Sequence, residues 1–260
     1  MTLKLQKTSA ASHKGRRDYQ EDRLFTATYE QGTLLAVFDG HGGDDVSIIC
    51  ETELPGLFAD EISEDGATNH VPEVLRTVIQ KLNIMTQHLE PGSTLSLAFI
   101  PVDKPVVTCA VMGDSPILIK DKDGKLNIAP DHNVRTNPAE AEAAKARGGY
   151  ISGGYLHQTY DGMGLQMARA LGDSYLNRVL SRTPEIYEVE VGPQSWVLVA
   201  SDGQFDPGHY KFKESAQTIS EMIDKGADAK ALVHYAAIDY PTGDNVSAVL
   251  ARFEDEQPAS

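Results

Sequence analysis

The sequence predicts an α+β fold: an antiparallel β-sandwich of two sheets flanked by α-helices, in four αββα layers. Three observations lead there. Apolar runs rich in β-branched residues recur at strand length, in "LLAVF", "STLSLAFI", "PVVTCAVMG", "PILIK", "SWVLVAS" and "NVSAVLARF". The pair Asp123-Gly124 separates two apolar segments in "PILIKDKDGKLNIAP", which predicts a hairpin and hence antiparallel pairing. Helical spacings lie between the runs, and stacked sheets covered by helices would bury strands this apolar.

Taken in order, the first strand is expected after the charged stretch "RRDYQEDRL", and "LLAVF" forms the next, ending at Asp39. A helix is predicted over 71–89, where Val71, Val74, Leu75, Val78, Ile79, Leu82, Met85 and Leu89 recur every three or four residues. Pro72 suits its first turn and Pro91-Gly92 its stop. The segment from Arg147 to Gly164, "RGGYISGGYLHQTYDGMG", is the most loop-like and is expected to form a short flap beside the core. After "SWVLVAS" come amphipathic segments around 212–225 and 230–238, then the last strand. With no repeat, low-complexity tract or long linker, residues 1–260 read as one domain.

Charge narrows the function. The chain has 38 acidic against 23 basic residues, a formal net charge of -15, which repels nucleic acid and anionic membrane as main partners. Cys50 and Cys109, the two cysteines, lie among apolar neighbours and read as reduced core residues. No signal-peptide block or membrane-length apolar stretch stands out, so a cytoplasmic, soluble monomer is expected.

Four aspartates sit at strand ends. Asp39 closes "LLAVFD", Asp114 closes "VVTCAVMGD", Asp202 closes "WVLVASD", and Asp244 stands just before "NVSAVL". Singly, each reads as a turn or cap residue. Together at one edge of a sandwich they would raise one another's pKa, and bound divalent cations would reverse that penalty. An oxygen-only donor set suits Mg²⁺ or Mn²⁺ better than zinc. Arg17, Glu21 and Asp22 precede the first expected strand; an arginine fork can hold a phosphate while the carboxylates extend a metal shell. "DKDGKLN" does not have the glycine spacing of an EF-hand loop, and no Gly-x-x-x-x-Gly-Lys phosphate loop occurs.

The ordered set "RRDYQED", "VFDGHGG", "GST", "GDS", "DH", "RALGD", "ASDGQFD" and "GDN" resembles the metal-dependent protein phosphatases of type 2C over almost the whole chain. The resemblance implies hydrolysis of phosphoserine and phosphothreonine in protein substrates, by attack of a water or hydroxide bridging two Mg²⁺ or Mn²⁺ ions. It implies that Asp39 bridges the two ions, that Asp202 and Asp244 complete one of them, and that the Gly40 carbonyl serves the other. Glu21 and Asp22 match acidic positions near that centre, Asp114 and Asp206 with Asp202 match a third, weaker metal site, and Arg17 matches the phosphate-binding arginine. His41 matches a general acid that protonates the departing oxygen; a histidine that only orients a carboxylate is the other reading. Gly40, Gly42 and Gly43 let the chain turn tightly beside the metals.

The chain departs from the pattern at Gln204 and Phe205, where the family carries a leucine or isoleucine and a tryptophan, and at "DHNV", where Asp-His-Lys-Pro is commoner. Two rivals accompany the phosphatase reading: a silent phosphatase-like binding module, expected to have lost one of the bridging or terminal aspartates, and a metal-dependent hydrolase of small phosphate esters.

Overall fold

The computed structural model describes residues 3–63, 70–205 and 211–255. Two five-stranded sheets stack face to face. In chain order the strands are β1 (Leu3–His13), β2 (Arg23–Tyr29), β3 (Gly32–Phe38), β4 (Gly40–His41), β5 (Gly92–Ser93), β6 (Leu95–Pro101), β7 (Val106–Met112), β8 (Ile117–Lys120), β9 (Leu126–Ile128), β10 (Tyr150–Ser152), β11 (Tyr155–His157), β12 (Gly164–Leu165), β13 (Leu171–Gly172), β14 (Glu185–Glu190), β15 (Trp196–Ala200) and β16 (Val246–Asp255). One large sheet runs β14-β7-β6-β3-β2 and the other β1-β16-β15-β8-β9. Every pairing between these strands is antiparallel.

The helices are α1 (Asp45–Ile62), α2 (Val71–Thr86), α3 (Pro138–Ala146), α4 (Phe212–Asp224) and α5 (Ala229–His234). Strand β3 shows why the central runs are apolar without alternation. Leu34, Ala36 and Phe38 pack against α1 and α2 on one face, while Leu35 and Val37 pack into the opposite sheet with Val197, Val199 and Val249. Strands buried on both faces need apolar residues at every position. On the far side Leu198, Ala200, Ala248 and Leu250 meet α4 and α5, completing the four layers.

The expected hairpin is present, with Leu118 opposite Ile128 and Lys120 opposite Leu126. The Asp121 carboxylate turns the loop, accepting the backbone N–H of Asp123 and Lys125 at 3.0 and 2.9 Å. Other expectations need correction. A strand precedes the one expected first: β1 pairs with β16 from Leu3 opposite Asp255 to His13 opposite Val246. Helix α2 ends at Thr86, short of Pro91-Gly92. Helices α1 and α3 were not anticipated, α1 carrying Pro55 within it. The segment 147–164 is not a plain loop, since β10, β11 and β12 form a three-stranded sheet of their own. Cys50 and Cys109 are buried free thiols, and burial pushes both up to about 12.

Candidate metal and phosphate site

At one end of the sandwich, a cavity of about 260 Å³ is lined by Arg17, Glu21, Asp39, Gly40, His41, Asp114, Asp202 and Asp244, among others. These residues arrive from separate places because antiparallel strands deliver their ends to the same edge. Asp39 follows β3 directly, Asp114 and Asp202 lie two residues past β7 and β15, and Asp244 lies two residues before β16. Gly42 and Gly43 have φ values of 68° and 132°, so the chain turns sharply after His41 where only glycine does so without strain.

The carboxylates share an unfavourable electrostatic environment. Burial first, then the charges of Asp22, Asp202, Asp114 and Asp244, hold the Asp39 carboxyl well above the usual range. Asp202 is raised in the same way, by burial and then by Asp114, Asp244 and Asp22. Asp22 lies behind them; burial lifts it to about 6 against the opposing hydroxyls of Ser201 and Ser247. Its Oδ2 is buried with no hydrogen-bond partner. Buried like charges with an orphaned carboxylate oxygen are the environment that a divalent cation stabilises, and oxygen-only donors fit Mg²⁺ or Mn²⁺. Among the described residues, no three His, Cys, Asp or Glu side chains already close into a coordination shell. The cluster meets the charge demand of a cation without a preformed cage.

Neighbouring groups hold the carboxylates in place. Asp39 N–H donates to Thr94 Oγ1 at 3.1 Å, Thr94 Oγ1 donates to Ser115 Oγ at 2.8 Å, and Ser115 Oγ donates to Asp39 Oδ2 at 3.3 Å. Asn133 Nδ2 donates to Asp114 Oδ2 at 2.8 Å. The fully buried His132 clasps the adjacent turn: its Nδ1 accepts the Gly113 N–H at 3.1 Å, and its own N–H reaches the Gly113 carbonyl at 3.2 Å. Asn245 fastens the N-terminal segment, accepting Glu21 N–H at 2.8 Å and donating to the Lys14 and Tyr19 carbonyls at 2.8 and 2.9 Å. Glu21 Oε1 accepts the Gly43 N–H at 2.7 Å, tying that segment to the turn after His41.

Arg17, expected to hold phosphate, lies at the cavity with its guanidinium on Asp244 Oδ2 at 2.7 Å. His41 lines the cavity and its Nε2 meets both oxygens of Asp173, at 2.9 and 3.0 Å. Burial alone would lower its pKa, but the hydrogen bond and charge of Asp173 outweigh that and raise it above the ordinary histidine value. Gln204 turns away from the cluster, donating to the Leu232 carbonyl at 3.0 Å, and Phe205 packs on Phe212 with ring centroids 5.1 Å apart. Asp206 lies outside the described residues.

Asp173, Thr94, Ser115, Asn133 and Asn245 had no assigned role in the sequence. Asp173, Thr94, Ser115 and Asn245 lie within the motifs "RALGD", "GST", "GDS" and "GDN", and Asn133 is a departure within "DHNV". Their positions are visible in the sequence, but their partners, from 19 to 231 positions away, are not.

The sequence matches the family described as Protein phosphatase 2C over residues 6–246. The relative "Probable protein phosphatase 2C 11" of Arabidopsis thaliana is 27% identical over 256 residues, covering 94% of this chain and 66% of its own length. A C. elegans sex determining protein of known structure is similar with a TM-score of 0.77 and 25% identity, covering 94% of this chain and 64% of that one. The catalytic domain of the serine threonine protein phosphatase PstP, solved in complex with two manganese ions, has a TM-score of 0.61 and 21% identity, covering 98% and 99% of the two chains. This last likeness speaks to the fold. The chain therefore spans just under two thirds of the first two relatives' lengths, 66% and 64%. With a family match running through all four layers and across the acidic cavity, the chain belongs to the protein phosphatase 2C family.

Proposed function

We propose that this domain is a metal-dependent serine/threonine protein phosphatase. The observation that carries the reading is one cavity in which Asp39, Asp202, Asp244, Asp114 and Glu21 converge beside Arg17 and His41. Asp39, Asp202, Asp244 and the Gly40 carbonyl would hold two divalent cations, Asp39 being the carboxylate common to both. Glu21 and Asp22 stand near that centre, and Asp114 and Asp206 with Asp202 would serve a third, weaker cation; Mg²⁺ and Mn²⁺ both suit the donors. Bound, such cations lower the pKa of a water beside the phosphorus and offset charge on the phosphoryl oxygens. Arg17 reaches the cavity with a forked donor suited to a phosphate, and in a chain of net charge -15 it locally favours an anion. His41 stands ready to hand a proton to the leaving serine or threonine oxygen.

The substrate is a phosphorylated protein segment, acted on by a monomer. The test is phosphate release from a phosphothreonine peptide and from an aryl phosphate, each with Mn²⁺, with Mg²⁺ and with chelator, alongside Asp39→Asn. Metal-dependent release that the variant loses is the expected result. A folded, metal-binding protein with no turnover on either would favour the silent binding module, and turnover of free phosphate esters without phosphopeptides would favour the small-ester hydrolase.

A further inference from the structure

His41 and Asp173 meet across a three-stranded ribbon. Strands β4 and β13 both pair with β5, placing His41 and Gly172 opposite Gly92 on its two sides. Gly92 is required between them: a Cβ there would stand 2.1 Å from Asp173 Oδ2 and 2.3 Å from His41 Nε2. The Asp173 carboxylate is fully buried, and its partners are His41 and the Tyr175 hydroxyl, which donates to Oδ1 at 3.2 Å. Among the described residues Asp173 is also the one non-glycine at positive φ, 49°. A strained backbone that aims a buried carboxylate at one ring nitrogen points to function rather than to packing. The surrounding chain fixes that strain, because the Arg182 guanidinium holds the carbonyls of Ala170 and Gly172.

The ring then has one nitrogen left. Nε2 is engaged, while Nδ1 is buried with no hydrogen-bond partner in a residue that lines the cavity. An orphaned polar atom buried within a cavity-lining residue calls for a partner, which a group bound in the cavity can supply. We infer that Asp173 is a positioning residue that secures His41 through Nε2 and leaves Nδ1 as the atom serving the leaving group. The inference rests on the phosphatase reading above. As the bond from phosphorus to the serine or threonine oxygen breaks, its electron pair stays on that oxygen, which takes the Nδ1 proton. Water supplies the oxygen that phosphorus gains, keeping one proton in the phosphate and releasing the other to solvent, and a solvent proton recharges the ring. Throughout, Nε2 keeps its hydrogen and donates it to Asp173, so the ring does not rotate between turnovers.

The test uses Asp173→Asn, which keeps the side-chain volume and tolerates the left-handed backbone, with Mn²⁺ stoichiometry by calorimetry as the folding control. Turnover of a phosphothreonine peptide should fall about 30- to 100-fold with KM little changed, in the range seen when an orienting partner of a histidine is removed. Turnover of an aryl phosphate, whose leaving oxygen needs less protonation, should fall only about 2- to 5-fold. In the His41→Ala background Asp173→Asn should cost nothing more, because the two act as a unit. Equal losses on both substrates, or additive losses, would make Asp173 a structural residue and overturn the inference. Should the wild-type protein hydrolyse neither substrate, the phosphatase reading fails instead. Positioning is then judged by ¹⁵N NMR of His41: a hydrogen-bonded Nε2 signal lost in Asp173→Asn supports it, and an unchanged signal overturns it.

Discussion

Arg17 Nη2 lies 2.7 Å from Asp244 Oδ2, and Arg17 Nε donates to the Gly243 carbonyl at 3.2 Å. The cation assigned to substrate phosphate is thus seated on a carboxylate assigned to a metal, within the same cavity. Arg17 is half exposed and Asp244 about a third exposed, so the pair is screened and contributes at most about 1 kcal/mol to stability. Its meaning is competitive: a metal would draw on the Asp244 oxygen that the guanidinium holds, and a phosphate would draw on the guanidinium.

Arg17→Ala should therefore raise KM for a phosphopeptide by about 10-fold or more while leaving kcat within a few-fold, as expected for loss of one charge-assisted hydrogen-bonding group. Calorimetry should show Mn²⁺ affinity equal to or tighter than wild type. An unchanged KM would remove Arg17 from the phosphate site.

Asp39→Asn should separate function from stability. The amide removes an anionic donor, so bound Mn²⁺ should fall below the wild-type stoichiometry and turnover should drop by at least about 100-fold, the scale of losing transition-state charge stabilisation. In the presence of chelator, however, the variant should melt higher than wild type. The charge it removes is buried among Asp22, Asp202, Asp114 and Asp244, and isosteric neutralisation relieves that repulsion. A lower melting temperature in chelator would contradict the mutual-repulsion account.

The same carboxylates set a pH dependence. The folded-state pKa of Asp22 is raised to about 6, and Asp39 and Asp202 are raised well above the ordinary value, by burial first and neighbouring charge second. The unfolded chain releases these protons near pH 4, before the folded state does, so the stabilisation is fully present below about pH 4; Asp22 loses its share as pH rises through about 6, and Asp39 and Asp202 lose theirs above the ordinary carboxylate range. Urea denaturation in chelator should show stability from this group declining across that window. Millimolar Mn²⁺ should flatten or reverse the decline. A chelated protein whose stability rises steeply through the window, with no such component, would argue against the raised values.

His41→Ala should cost far more on phosphothreonine than on an aryl phosphate, by about 10-fold or more in the ratio of kcat values. Metal stoichiometry should be unchanged. Losses of the same size on both substrates would confine His41 to orienting a carboxylate.

Asn245→Ala should weaken the anchorage of the N-terminal segment, because three hydrogen bonds to Glu21, Lys14 and Tyr19 depend on this one amide. A destabilisation of about 2–3 kcal/mol is expected from leaving buried groups unpaired. Weaker Mn²⁺ binding should accompany it, since Glu21 and Asp22 follow that segment. Chemical denaturation and calorimetry on the same preparation would check both.

Much of this was legible in the sequence because the chemistry sits where the apolar pattern stops. Asp39, Asp114, Asp202 and Asp244 each border a run long enough to be a buried strand, and antiparallel pairing brings such ends together. The remaining elements are hidden in the sequence for physical reasons. Strand β1, "LKLQKTSAASH", is an edge strand with few apolar residues, so its pattern is weak. Helix α1 carries Pro55-Gly56 at its centre, which reads as a break and hides the four-residue stripe of Val46, Cys50, Leu54, Phe58 and Ile62 that the helix buries. The strands β10, β11 and β12 are only two or three residues long, lie in a glycine-rich segment and depend on one another for pairing. Asp173 reads as a turn residue after Gly172, and its partner His41 lies 132 positions earlier. Thr94, Ser115 and Asn245 likewise act through contacts that spacing cannot encode.

The pairing of β1 with β16 has a consequence for the order of assembly. Asn245 reaches Glu21 across 224 positions and Arg17 reaches Asp244 across 227, so the cavity is closed by contacts among the most distant in the chain. Contacts of such sequence separation form late, because the entropy of closing the largest loops must be overcome before they contribute. During synthesis from the N-terminus, a chain holding Asp39, Asp114 and His41 still has no Asp244, no Asn245 and no partner for β1. The cavity is thus incomplete until β16 and the two residues before it have been made.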